Sequence, residues 1–385
     1  MIWQLCFFLA SNAWKFWEKT FKIVSIYIFL PAINDKRNKS TMTFKLSIVA
    51  GAFGVLAFTA PALADAPACE IDRPVVFGDL DWASAQFHNR VAAFIVEHGY
   101  GCETDAIPGS TLPIANGLQR GDVDINMEMW IPNVRDWWDQ ATAAGDVRSV
   151  GVNFPDAVQG WFVPRYLIEG ADAPAPDLRA VSDLPRYAEL FADPEAPGMG
   201  RFYNCIAGWG CEDANTRKLH AYGLTETFTN FRPGTGGALA AAAESAVLRG
   251  EPIVFYYWGP TWLLGKIGTD LVMLEEPEYD QATWDAMMAA ASPEEVEAAT
   301  AYPVIAVEIA VNTEFADAAP NLVAFLEAYS TTGQMVSEML AYMQDNDVEA
   351  DEAALEFLRT REDVWTGWVS EETAELVRQA VADAS

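Results

Sequence analysis

The strongest constraint on this chain is the way short apolar runs alternate with amphipathic stripes. RPVVFGDL (Arg73–Leu80) is an apolar run, and the segment after it places Phe87, Val91, Phe94 and Ile95 at i, i+4, i+7 and i+8. The first pattern reads as a buried strand and the second as the core stripe of a helix. Strand signals recur in GDVDINMEMW (Gly121–Trp130), EPIVFYYW (Glu251–Trp258), DLVML (Asp270–Leu274) and PVIAVEIAVN (Pro303–Asn312). Helical patterns such as ALAAAAESAVLRG (Ala238–Gly250) fall between them, and a helix-rich tail begins at Ala318. Such alternation predicts α/β layers on largely parallel sheets. A length of 385 residues exceeds one ordinary core, so two lobes are expected. GADAPAPDLRAVSDLP (Gly170–Pro185) reads as a surface loop, and RPGTGG (Arg232–Gly237) as a helix entry, since it lacks the lysine and spacing of a phosphate loop.

The amino end is set aside before fold reasoning. From Met42 the chain has a basic start at Lys45, an apolar run from Leu46 to about Phe58 and small residues at Ala62-Leu63-Ala64, the pattern of a secretory signal peptide cleaved near Ala64. Residues before Met42 read as an upstream segment added by a mis-assigned start. A membrane anchor there is disfavoured because Lys15, Glu18, Lys19 and Lys22 interrupt the apolar span. The net charge of -31 repels phosphate backbones and anionic membrane faces, so nucleic acid is not an expected partner.

Beyond residue 64 four cysteines remain: Cys69, Cys102, Cys205 and Cys211. An even number in an exported chain suggests disulfides, with Cys69–Cys102 and Cys205–Cys211 as the expected pairs. Zinc is the competing reading, but CxxC is absent and the sequence has only three histidines, His88, His98 and His220.

No HExxH, GxSxG, Walker or GxGxxG motif is present, so catalysis has no support. Tryptophan stands out instead. Four of the 14 sit at strand ends beside turn residues: Trp82 in GDLDW, Trp130 in EMWIPN, Trp209 in GWGC and Trp258 in YYWGP. Each alone could be core, yet ligands of open α/β sheets bind outside the carboxyl ends of strands. A box of indole faces attracts a weakly hydrated cation such as trimethylammonium, at roughly 0.5–2 kcal/mol per desolvated contact. In CIAGWGCEDAN (Cys205–Asn215) a bridge would stiffen the loop around Trp209, while Gly208 and Gly210 permit sharp turns. Glu212, Asp213 and Asn215 suit a first helical turn, so the N–H groups of Gly210 and Cys211 are expected to face a cleft.

CIAGWGCE, EPIVFYYWGPTW, GDVDINMEMWIPN and AVEIAVNTEFADAAPNLVAFLEAY together resemble the glycine betaine/proline-type periplasmic substrate-binding proteins of ABC transporters, the ProX/OpuAC-like group. The resemblance runs from about Arg73 to the carboxyl end. It implies a type II two-lobed α/β binding fold: residues 65–160 with 304–385 as one lobe, residues 161–303 as the other, and hinge crossings near Gln159–Trp161 and Tyr302–Ile305. It places the aromatic cage on Trp130, Trp209 and Trp258, backbone donors on Gly210 and Cys211, and a choline-branch aromatic on Trp82. It also implies a monomer that delivers its ligand to an inner-membrane permease from the periplasm, with no enzymatic activity and no cofactor.

One departure bears on the ligand. Betaine binders have a histidine for the carboxylate shortly after the W-x-P motif, where this chain has Val134. Glu128, two residues before Trp130 on a strand, projects to the same side and would favour a cation over a carboxylate. Trimethylamine N-oxide and glycine betaine are the expected ligands, with choline or carnitine as alternatives. An exported hydrolase whose tryptophans stack sugars, and a surface protein that docks through exposed aromatics, are rival classes. The acids Glu275, Glu276, Glu278 and Asp280 could hold structural calcium, against the plainer reading of a solvated charge run.

Overall fold

The computed structural model describes residues 68–384, so the signal-peptide and upstream readings lie outside the described residues. The first half opens as β1 (Val75–Leu80), α1 (Ala83–Tyr100), β2 (Thr104–Gly109), α2 (Thr111–Arg120), β3 (Ile125–Met129) and α3 (Arg135–Ala144). The run Val75–Leu80 becomes a strand because its side chains are buried between helical layers, and Phe87, Val91 and Ile95 of α1 pack on it from one side. Gly101, at φ 67°, ends α1 in the left-handed conformation that glycine adopts without cost. The Cys69–Cys102 disulfide ties the described amino end to that same corner.

The chain then enters β4 (Val147–Pro164), an 18-residue strand that changes partners along its length. Its first part, from Val147 to Ala157, pairs antiparallel with β9, and its second, from Val158, pairs antiparallel with β7 and then β8. Beyond it lie β5 (Gly200–Tyr203), α4 (Gly210–Ala221), β6 (Phe228–Phe231), α5 (Gly236–Arg249), β7 (Val254–Gly259), α6 (Trp262–Ile267), β8 (Leu271–Met273) and α7 (Gln281–Ala289). The chain returns through β9 (Ile305–Asn312). Then come α8 (Thr313–Ala318), α9 (Pro320–Ala328), α10 (Gly333–Asn346), α11 (Ala350–Thr360), α12 (Glu362–Trp365) and α13 (Glu371–Asp383). Strand order is β2-β1-β3-β9-β4-β7-β5-β6, with β8 on β4.

The fold is the expected α/β arrangement of two lobes, each with its own apolar core, built from β1, β3, β9 and α1 on one side and β4, β5, β7 and α4 on the other. Two expectations need correction. The sheets are mixed rather than largely parallel: β1, β2 and β3 run parallel, as do β5, β6 and β7, but every pairing of β4 and β9 is antiparallel. The segment Gly170–Pro185 is not a plain surface loop either. Ala175, Leu178, Val181 and Leu184 are buried in the second core, and the end of the segment winds into a 3-10 turn, Val181–Tyr187. The helix entry at Arg232–Gly237 is as expected, with Thr235 accepting the Ala238 N–H at 3.1 Å.

Asn215 on α4 binds both segments that cross between the lobes. Its Oδ1 accepts from Trp161 Nε1 on β4 at 2.7 Å and from the Tyr302 hydroxyl, ahead of β9, at 2.9 Å. Among the described residues no helix is long and apolar enough to cross a membrane.

Candidate functional site

Parallel strands β1 and β3 of one lobe and β5 and β7 of the other end toward a shared cleft, and each leads into one of the four tryptophans. Trp82 follows β1 and precedes α1; Trp130 follows β3; Trp209 stands just before α4; Trp258 lies in the last turn-side positions of β7. Three of the rings meet edge to face. Trp82 and Trp209 have centroids 5.1 Å apart at 67°, and Trp209 and Trp258 5.2 Å apart at 83°. Edge-to-face packing sets the positive rim of one indole against the negative face of the next. All four line one cavity together with Gly210, Cys211, Thr111, Asn133, Gln159 and Tyr256. Its volume is about 30 Å³, where a single water needs roughly 10–15 Å³ of the same kind of space, so it suits a compact ligand of few heavy atoms.

The indole N–H groups are fixed from behind by carboxylates. Glu128 Oε2 accepts from Trp82 Nε1 at 2.8 Å and from Trp130 Nε1 at 3.1 Å. Asp81 Oδ1 accepts from Trp209 Nε1 at 2.6 Å, a bond that reaches from one lobe to the other. Glu128 is buried and is not among the cavity-lining residues; it stands behind two of the rings. Burial raises its pKa from the ordinary carboxylate value, an effect the donors Trp82, Ser84 and Trp130 oppose. Sequence reasoning put Glu128 near Trp130 but not between two indoles, because Trp82 lies 46 positions away.

The polar end of the cavity was missed from sequence. Gln159 Oε1 accepts from the Tyr256 hydroxyl at 2.7 Å and from Asn133 Nδ2 at 2.9 Å. Burial pushes the Tyr256 phenol well above its ordinary pKa, so it stays protonated and donates. Tyr256 had a legible signal: it precedes Trp258 by two positions on a strand, and the two rings stack at 6.2 Å and 20°. Gln159 and Asn133 carried none.

The loop before α4 is closed by the Cys205–Cys211 disulfide. Gly208 has φ 92°, and a Cβ there would meet Ser110 Oγ at 2.8 Å; a Cβ on Gly210 would meet the Asn133 carbonyl oxygen at 2.8 Å. Both glycines therefore allow the loop to approach the opposite lobe. Within the described residues no acceptor takes the N–H of Gly210 or Cys211, so these donors at the start of α4 remain available beside the cavity.

Of the acids Glu275, Glu276, Glu278 and Asp280, three are exposed as a solvated run requires, and only the Glu276 side chain turns inward. Glu276 is buried against Lys218 Nζ at 2.6 Å and accepts from the Tyr222 hydroxyl, while Asp280 caps α7 through the Thr283 N–H. Among the described residues no cluster of three or more His, Cys, Asp or Glu side chains is grouped to hold a metal.

A two-lobed α/β fold with an aromatic cavity at its strand ends defines a solute-binding class of protein. The chain belongs to the family described as the substrate-binding domain of ABC-type glycine betaine transport systems, whose sequence model matches residues 73–360. It is 31% identical over 164 residues to the glycine betaine/proline betaine-binding periplasmic protein of Escherichia coli, covering 42% of this chain and 48% of that protein. It is 22% identical over 301 residues to the trimethylamine N-oxide-binding protein of Pelagibacter ubique, covering 78% of this chain and 91% of that protein. The match thus spans about half the length of the glycine betaine-binding relatives. Among solved structures, the glycine/betaine/L-proline-binding protein ProX of Borrelia burgdorferi superposes with TM-score 0.63 at 17% identity, over 79% of this chain and 100% of that one. An ABC-transporter choline-binding protein in complex with choline gives TM-score 0.62 at 18% identity, over 80% and 98%. These structural likenesses establish the fold.

Proposed function

We propose that this chain is the extracytoplasmic solute-binding protein of an ABC importer, taking a small methylated amine between its lobes and delivering it to an inner-membrane permease. The observation that carries the reading is the convergence of Trp82, Trp130, Trp209 and Trp258, two from each lobe, around one small cavity. A methylated ammonium has no N–H to offer a carboxylate, so indole faces are the groups suited to hold it. Gly210 and Cys211 supply N–H donors for an oxygen at its other end. Contacts from both lobes would favour the closed form, with residues 65–160 and 304–385 moving against 161–303. Two disulfides and the periplasmic relatives support an oxidising, extracytoplasmic setting.

Within that class the chemistry favours trimethylamine N-oxide over glycine betaine. Val134 stands where a carboxylate-binding histidine would be, Glu128 adds a negative charge behind the rings, and the cavity is small. Calorimetric titration against trimethylamine N-oxide, glycine betaine, choline and carnitine tests the assignment. Tightest binding of trimethylamine N-oxide, weakened in Trp130→Ala, is expected; no heat with any methylated amine ends the reading. The rival sugar-stacking hydrolase has no support, since the rings close on each other and leave no open platform.

A further inference from the structure

Glu128 is a buried carboxylate with no cation beside it. Its Oε2 is shared by two indole N–H groups, and no lysine, arginine or histidine pairs with it among the described residues. The ionisable side chains on the elements packed around it are accounted for elsewhere. Arg90 on α1 binds Asp79 of β1. Asp81 is exposed and holds Trp209, and Glu308 lies on β9 opposite Met129. His88 of α1 is hydrogen-bonded to the Tyr329 hydroxyl at 2.8 Å, and burial holds it neutral, its pKa pushed down to about 3. None of these gives Glu128 a positive partner, and isolated buried charges are costly.

We infer that the positively charged nitrogen of the bound ligand is the counterion of Glu128, so that the site takes up a permanently charged methylated nitrogen and expels a proton to solvent in one linked event. This rests on the methylated-amine reading above. Trp82 and Trp130 turn their N–H edges to the acid and both line the cavity, whereas Glu128 is buried and does not, so a cation in the cage is separated from Glu128 by the indoles. Coulomb attraction across such a medium is several times stronger than in water. Glu128 therefore acts through the two rings as a positioning and charge-selecting residue and does not touch the ligand.

The direction of the pH effect follows from linkage. Burial raises the ligand-free carboxyl above its ordinary value, and a cation in the cage draws it back down. Between the two values binding releases a proton. Affinity is flat above the ligand-free value and falls as pH drops through the window, by up to about tenfold per pH unit.

The test is calorimetric titration of the full protein with tetramethylammonium, which has no titratable group, from pH 4 to pH 9 in two buffers of different ionisation enthalpy. Release of part of a proton per ligand on the acid side, with a Kd that rises as pH falls, is the expected result. Glu128→Gln keeps an oxygen for the indoles; it should release no proton, show a flat pH profile, and bind about tenfold more weakly than wild type at high pH, the equivalent of one pK step. A variant with the wild-type pH profile overturns the inference. So does wild-type binding with no proton exchanged at any pH, a measurement that stands even if the variant fails to fold. Absence of binding by tetramethylammonium and every other methylated amine would remove the cage reading itself, whereas binding without proton release removes only this linkage.

Discussion

The two walls of the cage are built on different principles. The wall from the first lobe, Trp82 and Trp130, is fixed through one buried acid, Glu128, with Trp130 packed on Phe154, which in turn stacks on the neutral, Tyr329-bonded His88. The wall from the second lobe, Trp209 and Trp258, is fixed by shape: a disulfide-closed loop, two glycines in close approach, and a strand buried along its whole length. Its indole anchor, Asp81, belongs to the other lobe and is exposed, where solvent and salt weaken its charge. One wall thus supplies charge and the other supplies fit and closure, so substitutions in them should fail in different ways.

The largest effect is expected in the second wall. Trp209→Ala and Trp258→Ala each remove a buried ring, and ligand affinity measured by calorimetry should fall roughly 100-fold, from a desolvated cation–π contact of about 2 kcal/mol plus lost apolar burial. Trp82 is only partly buried, so Trp82→Ala should cost nearer tenfold. Equal losses at all three would erase the distinction between the walls.

Gly210→Ala comes next. Alanine is the better helix former by about 1 kcal/mol, so thermal stability should hold or rise. Yet its Cβ would meet the Asn133 backbone at 2.8 Å, and overpacking of that kind costs about 1–3 kcal/mol. Affinity should therefore drop about tenfold while Tm does not, and a parallel fall in both would mean that the glycine serves the helix rather than the approach of the lobes.

A smaller effect belongs to the bond between the lobes. Asp81→Ala removes an exposed acceptor, so the expected loss is about 1 kcal/mol, seen mainly as faster ligand dissociation in stopped-flow tryptophan fluorescence. An unchanged off-rate would show that Trp209 is held by its loop alone.

A thermal signal, separate from affinity, belongs to the first wall. His88 cannot take a proton in the folded state until about pH 3, whereas the unfolded chain takes one near 6.5. Its contribution is intact above 6.5 and is lost as pH falls toward 3, on the order of 1 kcal/mol per pH unit, or roughly 2–4 °C in Tm. Glu128 works in the opposite sense, because its buried charge is a cost that protonation relieves. Tm measured from pH 7 to pH 4 should decline less in His88→Asn than in wild type. A decline unchanged by the substitution would assign acid sensitivity to other groups.

Much of this was legible in the sequence because it rested on local patterns. β1, β3, β7 and β9 announced themselves as apolar runs, and Trp82, Trp130 and Trp258 sit next to turn residues at strand ends, while Trp209 stands at the start of α4. β4 did not, since Gly151, Pro155, Asp156 and Gly160 break any periodic signal. Its strand character comes from pairing with β9, β7 and β8, all far away in the chain. The same limit hid Glu128 between two indoles, Gln159 at the polar end, and the burial of Glu276 against Lys218, 58 positions apart. Contacts made by folding leave no trace in the spacing of neighbours.

The exchange of partners along β4 has a mechanical consequence. Val147–Ala157 is clamped to one neighbour and Val158–Pro164 to others, and Asp156 at the junction sits at φ 62°, a conformation few side chains adopt. A ribbon gripped on both sides of a single peptide junction cannot bend like a free tether. On the closure proposed above it would twist as a torsion bar, confining the swing of the halves to one axis and returning the tryptophans to the same register each time the jaws shut.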